Sequence, residues 1–144
     1  MAIREWKKVF ESDLSNIVIE LKELIQLPSV IFLEGPVGAG KTTFAKVFID
    51  KKDVQSPTYS LINEYDSLLH ADLYRIQNKD ELIHLEIPMY IEEKEYFVIE
   101  WGIKYRTQLQ RIIGDEFNYY QLRIDIISNP NNESVSRNYT LEKI

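Results

Sequence analysis

The stretch GPVGAGKT, residues 35–42, fills every fixed position of the template G-x-x-x-x-G-K-S/T. The spacing follows from what a triphosphate demands. Several backbone N–H groups must turn toward one anion, and glycine permits both the positive φ and the close approach this requires. Gly35, Gly38 and Gly40 are three of only five glycines in the chain, so their crowding marks a purpose. A helix following such a loop points its positive end at the phosphates. Lys41 is then placed to reach the β- and γ-phosphates, and the Thr42 hydroxyl to ligate Mg²⁺. Pro36, Val37, Ala39 and Thr43 complete the expected nucleotide-contacting set.

Both flanks of the loop agree with this reading. Val30–Glu34 (VIFLE) is a short apolar run rich in β-branched and aromatic residues, the pattern of a buried strand. Lys41–Asp50 turns helical through Phe44, Ala45, Phe48 and Ile49. Strand, glycine loop and helix in that order make one supersecondary unit. A chance match in a surface turn would lack these flanks, so the unit is expected to bind a nucleoside triphosphate, with ATP the default.

Farther out, Leu14, Ile17, Val18, Leu21, Leu24 and Ile25 recur at helical spacing, with Ser12 or Asp13 as cap and Pro28 as stop. Strands are expected at Tyr59–Tyr65 and Leu68–Leu73, a short helix at Asn78–Leu85 before Pro88, and a buried strand at Tyr96–Trp101. Lys104–Ile113 is amphipathic through Tyr105, Leu109, Ile112 and Ile113, with Gly114 as its cap. Tyr120, Leu122, Ile124 and Ile126 alternate with polar residues, and a turn at Asn129–Asn132 returns the chain along Val135–Leu141. The expected fold is α/β: one P-loop NTPase-like domain over residues 1–144, a three-layer sandwich around a mixed, partly antiparallel sheet.

Composition bounds the class. A length of 144 residues suits one domain. Leu, Ile, Val and Phe make up about a third of the chain, well above the disordered range. The absence of cysteine excludes disulfides, thiolate metal sites and cysteine nucleophiles. With 17 basic against 23 acidic residues and a net charge of −6, a free-standing nucleic-acid binder is disfavoured. No stretch approaches the length of a membrane span, and MAIREWKKVFESD lacks a signal peptide's apolar centre. A cytoplasmic protein is expected.

What kind of phosphate-loop protein follows from the rest of the chain. A GTPase reads its base with Asn-Lys-x-Asp, whereas Asn78-Lys79-Asp80 brings its aspartate one place early. A small-molecule kinase usually carries an arginine-rich lid, and the six arginines here are spread from Arg4 to Arg137. A nucleoside or sugar kinase stays the alternative to an ATPase. Metal-assisted hydrolysis needs an acid at the end of a neighbouring strand. Glu100, leaving YFVIEW, is the first candidate and Asp72, in HADLYRI, the second; pairing with a nearby cation is the plainer role for each. Trp101 offers an adenine a flat face or fills a core or interface. His70 is a catalytic base or simply hydrogen-bonded near a strand, and His84 is structural.

Four segments together resemble the TsaE (YjeE-type) family of bacterial ATPases in tRNA threonylcarbamoyladenosine synthesis. They are LEGPVGAGKTTFAK at 33–46, SPTYSLINEY at 56–65, HADLYRI at 70–76 and IEWGIK at 99–104. The terminal LRIDI…SRNYTLE pattern is similar as well. The resemblance implies ATP hydrolysis with Mg²⁺ and work with two partners, TsaD and TsaB, which modify the adenosine beside the anticodon; contact with tRNA is then indirect. It gives Lys41 and Thr42 the phosphate-loop roles, Glu100 and Asp72 the metal and catalytic centre, and Trp101 a place beside the nucleotide. Thr58 falls in a segment similar to a γ-phosphate switch, so ATP is expected to close Gln55–Tyr65. Where the family often has Pro-Glu after I-E-W, this chain has Gly102 and Ile103 and lacks that second acid; hydrolysis is expected to be slow without partners.

Overall fold

Val30, Ile31, Phe32 and Leu33 are all fully buried. Successive strand side chains point to opposite faces, so a sheet built around them is covered on both. The computed structural model describes residues 2–50, 61–127 and 135–144. Their order is β1 (Ala2–Val9), α1 (Leu14–Leu24), β2 (Ser29–Glu34), α2 (Lys41–Ile49), β3 (Ile62–Tyr65), β4 (Leu68–Asp72), α3 (Ile87–Tyr90), β5 (Tyr96–Glu100), α4 (Arg106–Ile113), β6 (Asn118–Ile127) and β7 (Ser136–Lys143).

The strands form one seven-stranded sheet in the order β1-β7-β6-β2-β5-β4-β3. β6, β2, β5 and β4 run parallel at its centre; β7 pairs antiparallel with β6 and β1 antiparallel with β7 on one side, and β3 pairs antiparallel with β4 on the other. On one face Leu21, Phe44 and Phe48 pack on Ile31, Leu33, Val98 and Leu122. On the other, Leu82, Ile87 and Leu109 pack on Val30, Phe32, Phe97 and Ile99. The three-layer α/β sandwich with a mixed sheet is therefore present.

Several elements differ in detail from the sequence reading. β1 was not foreseen. Only Trp6 and Val9 of that strand are buried, three residues apart rather than two. The cause is irregular pairing: the register with β7 shifts between Trp6 and Val9, where Lys8 has a φ of 54°. A bulged edge strand loses the alternation that would announce it. Lys79–Leu85 is a 3-10 rather than an α-helix, capped by Asn78, whose Oδ1 accepts the Asp80 N–H at 3.0 Å. Pro88 sits in the first turn of α3, where its missing N–H costs nothing. Asp13 closes the turn before α1 by accepting the Phe10 N–H at 3.0 Å, rather than capping α1 with its side chain. Gly114 ends α4 at a φ of 97°, as its position suggested. The turn at Asn129–Asn132 and the first residues of the strand expected at Tyr59–Tyr65 lie outside the described residues. Among the described residues, no helix is long and apolar enough to cross a membrane.

Candidate functional site

The carboxyl ends of β2, β5 and β4 lie side by side, with Leu33 paired to Glu100 and Asp72 paired to Glu100. Crevices at such strand ends are where open parallel sheets bind ligands. The glycine loop leaves β2 at this edge and enters α2 at Lys41. Gly38 and Gly40 hold φ of 81° and 100°, conformations that a side chain would strain. Gly35 answers a different demand, because a Cβ there would stand 2.7 Å from the Ile124 carbonyl oxygen of β6. Gly40 stands at the N-cap of α2 and has no side chain to accept the first N–H groups of the helix.

The loop borders a cleft of about 500 Å³. Val37, Gly38, Gly40, Lys41, Thr42 and Thr43 line it from the loop and α2, and Asp72, Glu100 and Trp101 from the facing strand ends. The Thr42 hydroxyl donates to Glu100 Oε1 at 2.9 Å. Glu100 is 2 % exposed, and its other oxygen, Oε2, is 2.6 Å from Nε2 of fully buried His70. Asp72 Oδ1 accepts the Tyr74 backbone N–H at 3.0 Å, which orients its carboxylate at the rim.

Lys41 is buried, and its ammonium is shared among loop and wall. It donates to the Gly35 and Pro36 carbonyls, the latter at 3.0 Å, and lies 3.9 Å from the centroid of the Trp101 ring. Burial pushes this ammonium below the ordinary lysine range, while Glu100, Glu34 and Asp72 push it back up. Glu34, at the end of β2, is raised by burial and lowered by Lys41.

Trp101 reaches across the cleft because the chain turns sharply after β5, with a φ of 59° at Trp101 itself. A bulky residue in that region is a genuine outlier, and such strain is common at ligand sites. The next residue leaves no room for a side chain. A Cβ on Gly102 would collide with Ile99 Cγ2 and stand 3.2 Å from Phe32 Cδ1. Tyr74 packs against Trp101 at a centroid distance of 5.0 Å and also lines the cleft.

Thus Lys41, Thr42, Thr43, Asp72, Glu100 and Trp101 converge, with Val37, Gly38 and Gly40, on one cleft. Gly35 and Pro36 stand behind it, offering carbonyls to Lys41. Ala39 is fully buried in the core and does not line the cleft, so the structure does not bring this expected contact residue to it. Thr58 lies outside the described residues. His84 sits in the 3-10 segment, away from the residues lining the cleft.

Two cleft residues were missed from the sequence, Tyr74 and Arg137. Arg137 lies on β7, and its Nε is buried with no hydrogen-bond partner among the described residues. A Cβ on Gly40 would sit 3.2 Å from that Nε, so the guanidinium flanks the loop. The available signal was its two-residue offset from Tyr139, which packs against Phe44 of α2. Without knowing that β7 lies beyond β6, that offset points nowhere.

Among known proteins, the family model for TsaE, the threonylcarbamoyl adenosine biosynthesis protein, matches residues 10–137. The tRNA threonylcarbamoyladenosine biosynthesis protein TsaE of Nostoc sp. is 38% identical over 117 residues, covering 71% of this chain and 72% of that protein. Its counterpart from Aquifex aeolicus is 39% identical over 80 residues, covering 49% of this chain and 60% of that protein. The crystal structure of Bacillus subtilis YdiB superimposes with a TM-score of 0.62 at 25% identity, over 97% of this chain and 86% of that one, which agrees with a P-loop NTPase-like fold. The match over residues 10–137, with relatives at this identity, shows that the chain belongs to the TsaE family.

Proposed function

We propose that the cleft binds ATP with Mg²⁺ and hydrolyses it, and that the chain serves tRNA threonylcarbamoyladenosine synthesis as a nucleotide-dependent regulator of the TsaB–TsaD transferase. The observation that carries this reading is the 2.9 Å contact from Thr42, at the start of α2, to Glu100, at the end of β5. It sets a hydroxyl and a carboxylate side by side next to a buried lysine, in the arrangement a metal-bound triphosphate needs.

The donor chemistry fits Mg²⁺. Thr42, Glu100 and Asp72 are hard oxygen donors around one cleft. Among the described residues, no three His, Cys, Asp or Glu side chains form a metal cage by themselves. Mg²⁺ asks for none, since one or two carboxylates suffice beside phosphate and water. When bound, Mg²⁺ supplies charge for the β- and γ-phosphate oxygens. The chain's own groups do the rest. Lys41 exchanges the Gly35 and Pro36 carbonyls for phosphate oxygens, Arg137 adds a second cation, and the first N–H groups of α2, which Gly40 has no side chain to cap, meet the anion. Trp101 and Tyr74, packed ring against ring, form one wall of the cleft. The net charge of −6 suits a subunit that regulates a tRNA enzyme rather than gripping the tRNA.

Following γ-labelled ATP tests this. The protein is assayed alone, with nucleoside and sugar acceptors, and with TsaB and TsaD. Label is expected in inorganic phosphate, slowly alone and faster with both partners. Label on an acceptor would overturn the ATPase reading in favour of a kinase. Nucleotide-dependent complex formation that survives Lys41→Ala would overturn the regulatory one.

A further inference from the structure

His70 is 0% exposed, does not line the cleft, and so has no route to a substrate. Its catalytic-base reading falls on that ground. What it touches is Glu100, with Nε2 at 2.6 Å from Oε2. The other ring nitrogen, Nδ1, is buried with no hydrogen-bond partner among the described residues. A proton placed on Nδ1 would have no acceptor, whereas a proton on Nε2 meets a carboxylate. The geometry therefore assigns the ring the tautomer that donates from Nε2.

Glu100 has one oxygen toward Thr42 and one toward His70. Only the first of these partners is mobile in the proposed reaction, because the Thr42 hydroxyl turns to the metal. The second sits within β4, in the strand's own register with β5, and cannot follow. A carboxylate tied at one oxygen and free at the other is a pre-oriented ligand.

We propose that His70 is a positioning residue that holds Glu100 through Oε2 so that Oε1 is presented to Mg²⁺. This rests on reading the cleft as a Mg²⁺–nucleotide site. It assigns His70 to metal affinity rather than to proton transfer, and it makes the reach of the donor the decisive property. A glutamine amide extends as far as Nε2, whereas an asparagine amide extends only about as far as Nδ1.

The test measures affinity for a fluorescent ADP, first in EDTA and then across a Mg²⁺ titration, for the whole chain and for His70→Leu, His70→Gln and His70→Asn. In EDTA all four are expected to bind alike, which also reports that they fold. In the titration, His70→Leu and His70→Asn should need about ten to a hundred times more Mg²⁺ for half-effect, and His70→Gln should recover most of the loss. An unchanged Mg²⁺ midpoint in His70→Leu would overturn the proposal, as would equal behaviour of the Gln and Asn variants. If His70→Leu fails to fold, the Gln–Asn pair decides alone. Absence of any Mg²⁺ effect on the unsubstituted protein would instead overturn the metal–nucleotide reading itself, and this inference with it.

Discussion

Thr42 Oγ1 and Glu100 Oε1 stand 2.9 Å apart although 58 residues separate them in the chain. The contact joins the first turn of the helix after the glycine loop to the exit of β5. Replacing Glu100 with Gln keeps the shape and removes the charge. ADP affinity in Mg²⁺ should fall by about tenfold or more, while affinity in EDTA should not fall. Titration of a fluorescent ADP under both conditions measures the difference.

Lys41 gives the site a pH dependence with a definite sign. Its ammonium is depressed by burial, more than Glu100, Glu34 and Asp72 restore. Bound phosphate favours the charged form, so binding takes up a proton once the pH exceeds the free site's value. ADP affinity should be flat at lower pH and then fall, by up to about tenfold per pH unit, starting below the usual lysine range. A Lys41→Arg variant keeps its charge and should lack that alkaline decline. For the protein alone the sign is opposite. Between the lowered folded value and the unfolded one, the unfolded chain binds more protons, so stability from this group rises with pH.

Arg137→Gln should weaken ATP and ADP binding about tenfold or more, the usual worth of a charged hydrogen bond. The guanidinium flanks Gly40, and its buried Nε makes no hydrogen bond among the described residues that the substitution would break. Thermal unfolding without nucleotide should therefore be close to unchanged. A large loss of stability with normal affinity would show that Arg137 serves the fold and not the ligand.

Gly102→Ala tests the packing beneath Trp101. Its Cβ would collide with Ile99 and crowd Phe32, both fully buried. Overpacking of this kind costs about 1–3 kcal/mol. Urea unfolding should show the loss. Because Trp101 is the adjoining residue, its fluorescence on nucleotide addition should change as well, read in a Trp6→Phe background.

How much of this was legible in the chain differs by element. The run VIFLE, the glycine loop and the periodic helix after it were readable because each is a local pattern. So were the helices at Leu14 and Lys104 and the strand at Tyr96. β1 was not, since its bulge breaks the alternation and only Trp6 and Val9 face inward. The 3-10 character of Lys79–Leu85 was also hidden, because spacing alone does not separate a tight helix from an α-helix.

For the site, sequence by itself determined that a glycine loop matching the phosphate-loop template exists, that Lys41 and Thr42 end that template, and that acids stand at two later strand ends. Those are matters of residue type and spacing along one stretch. Tertiary structure decided which distant groups meet there. Sheet order puts the ends of β4 and β5 beside β2, and so brings Asp72 and Glu100 to the loop. It also lays β7 close enough for Arg137 to flank Gly40, and buries His70 behind Glu100 instead of exposing it as a base. Strand neighbours are chosen by packing across the whole core, and that choice leaves no trace in the spacing of any one segment.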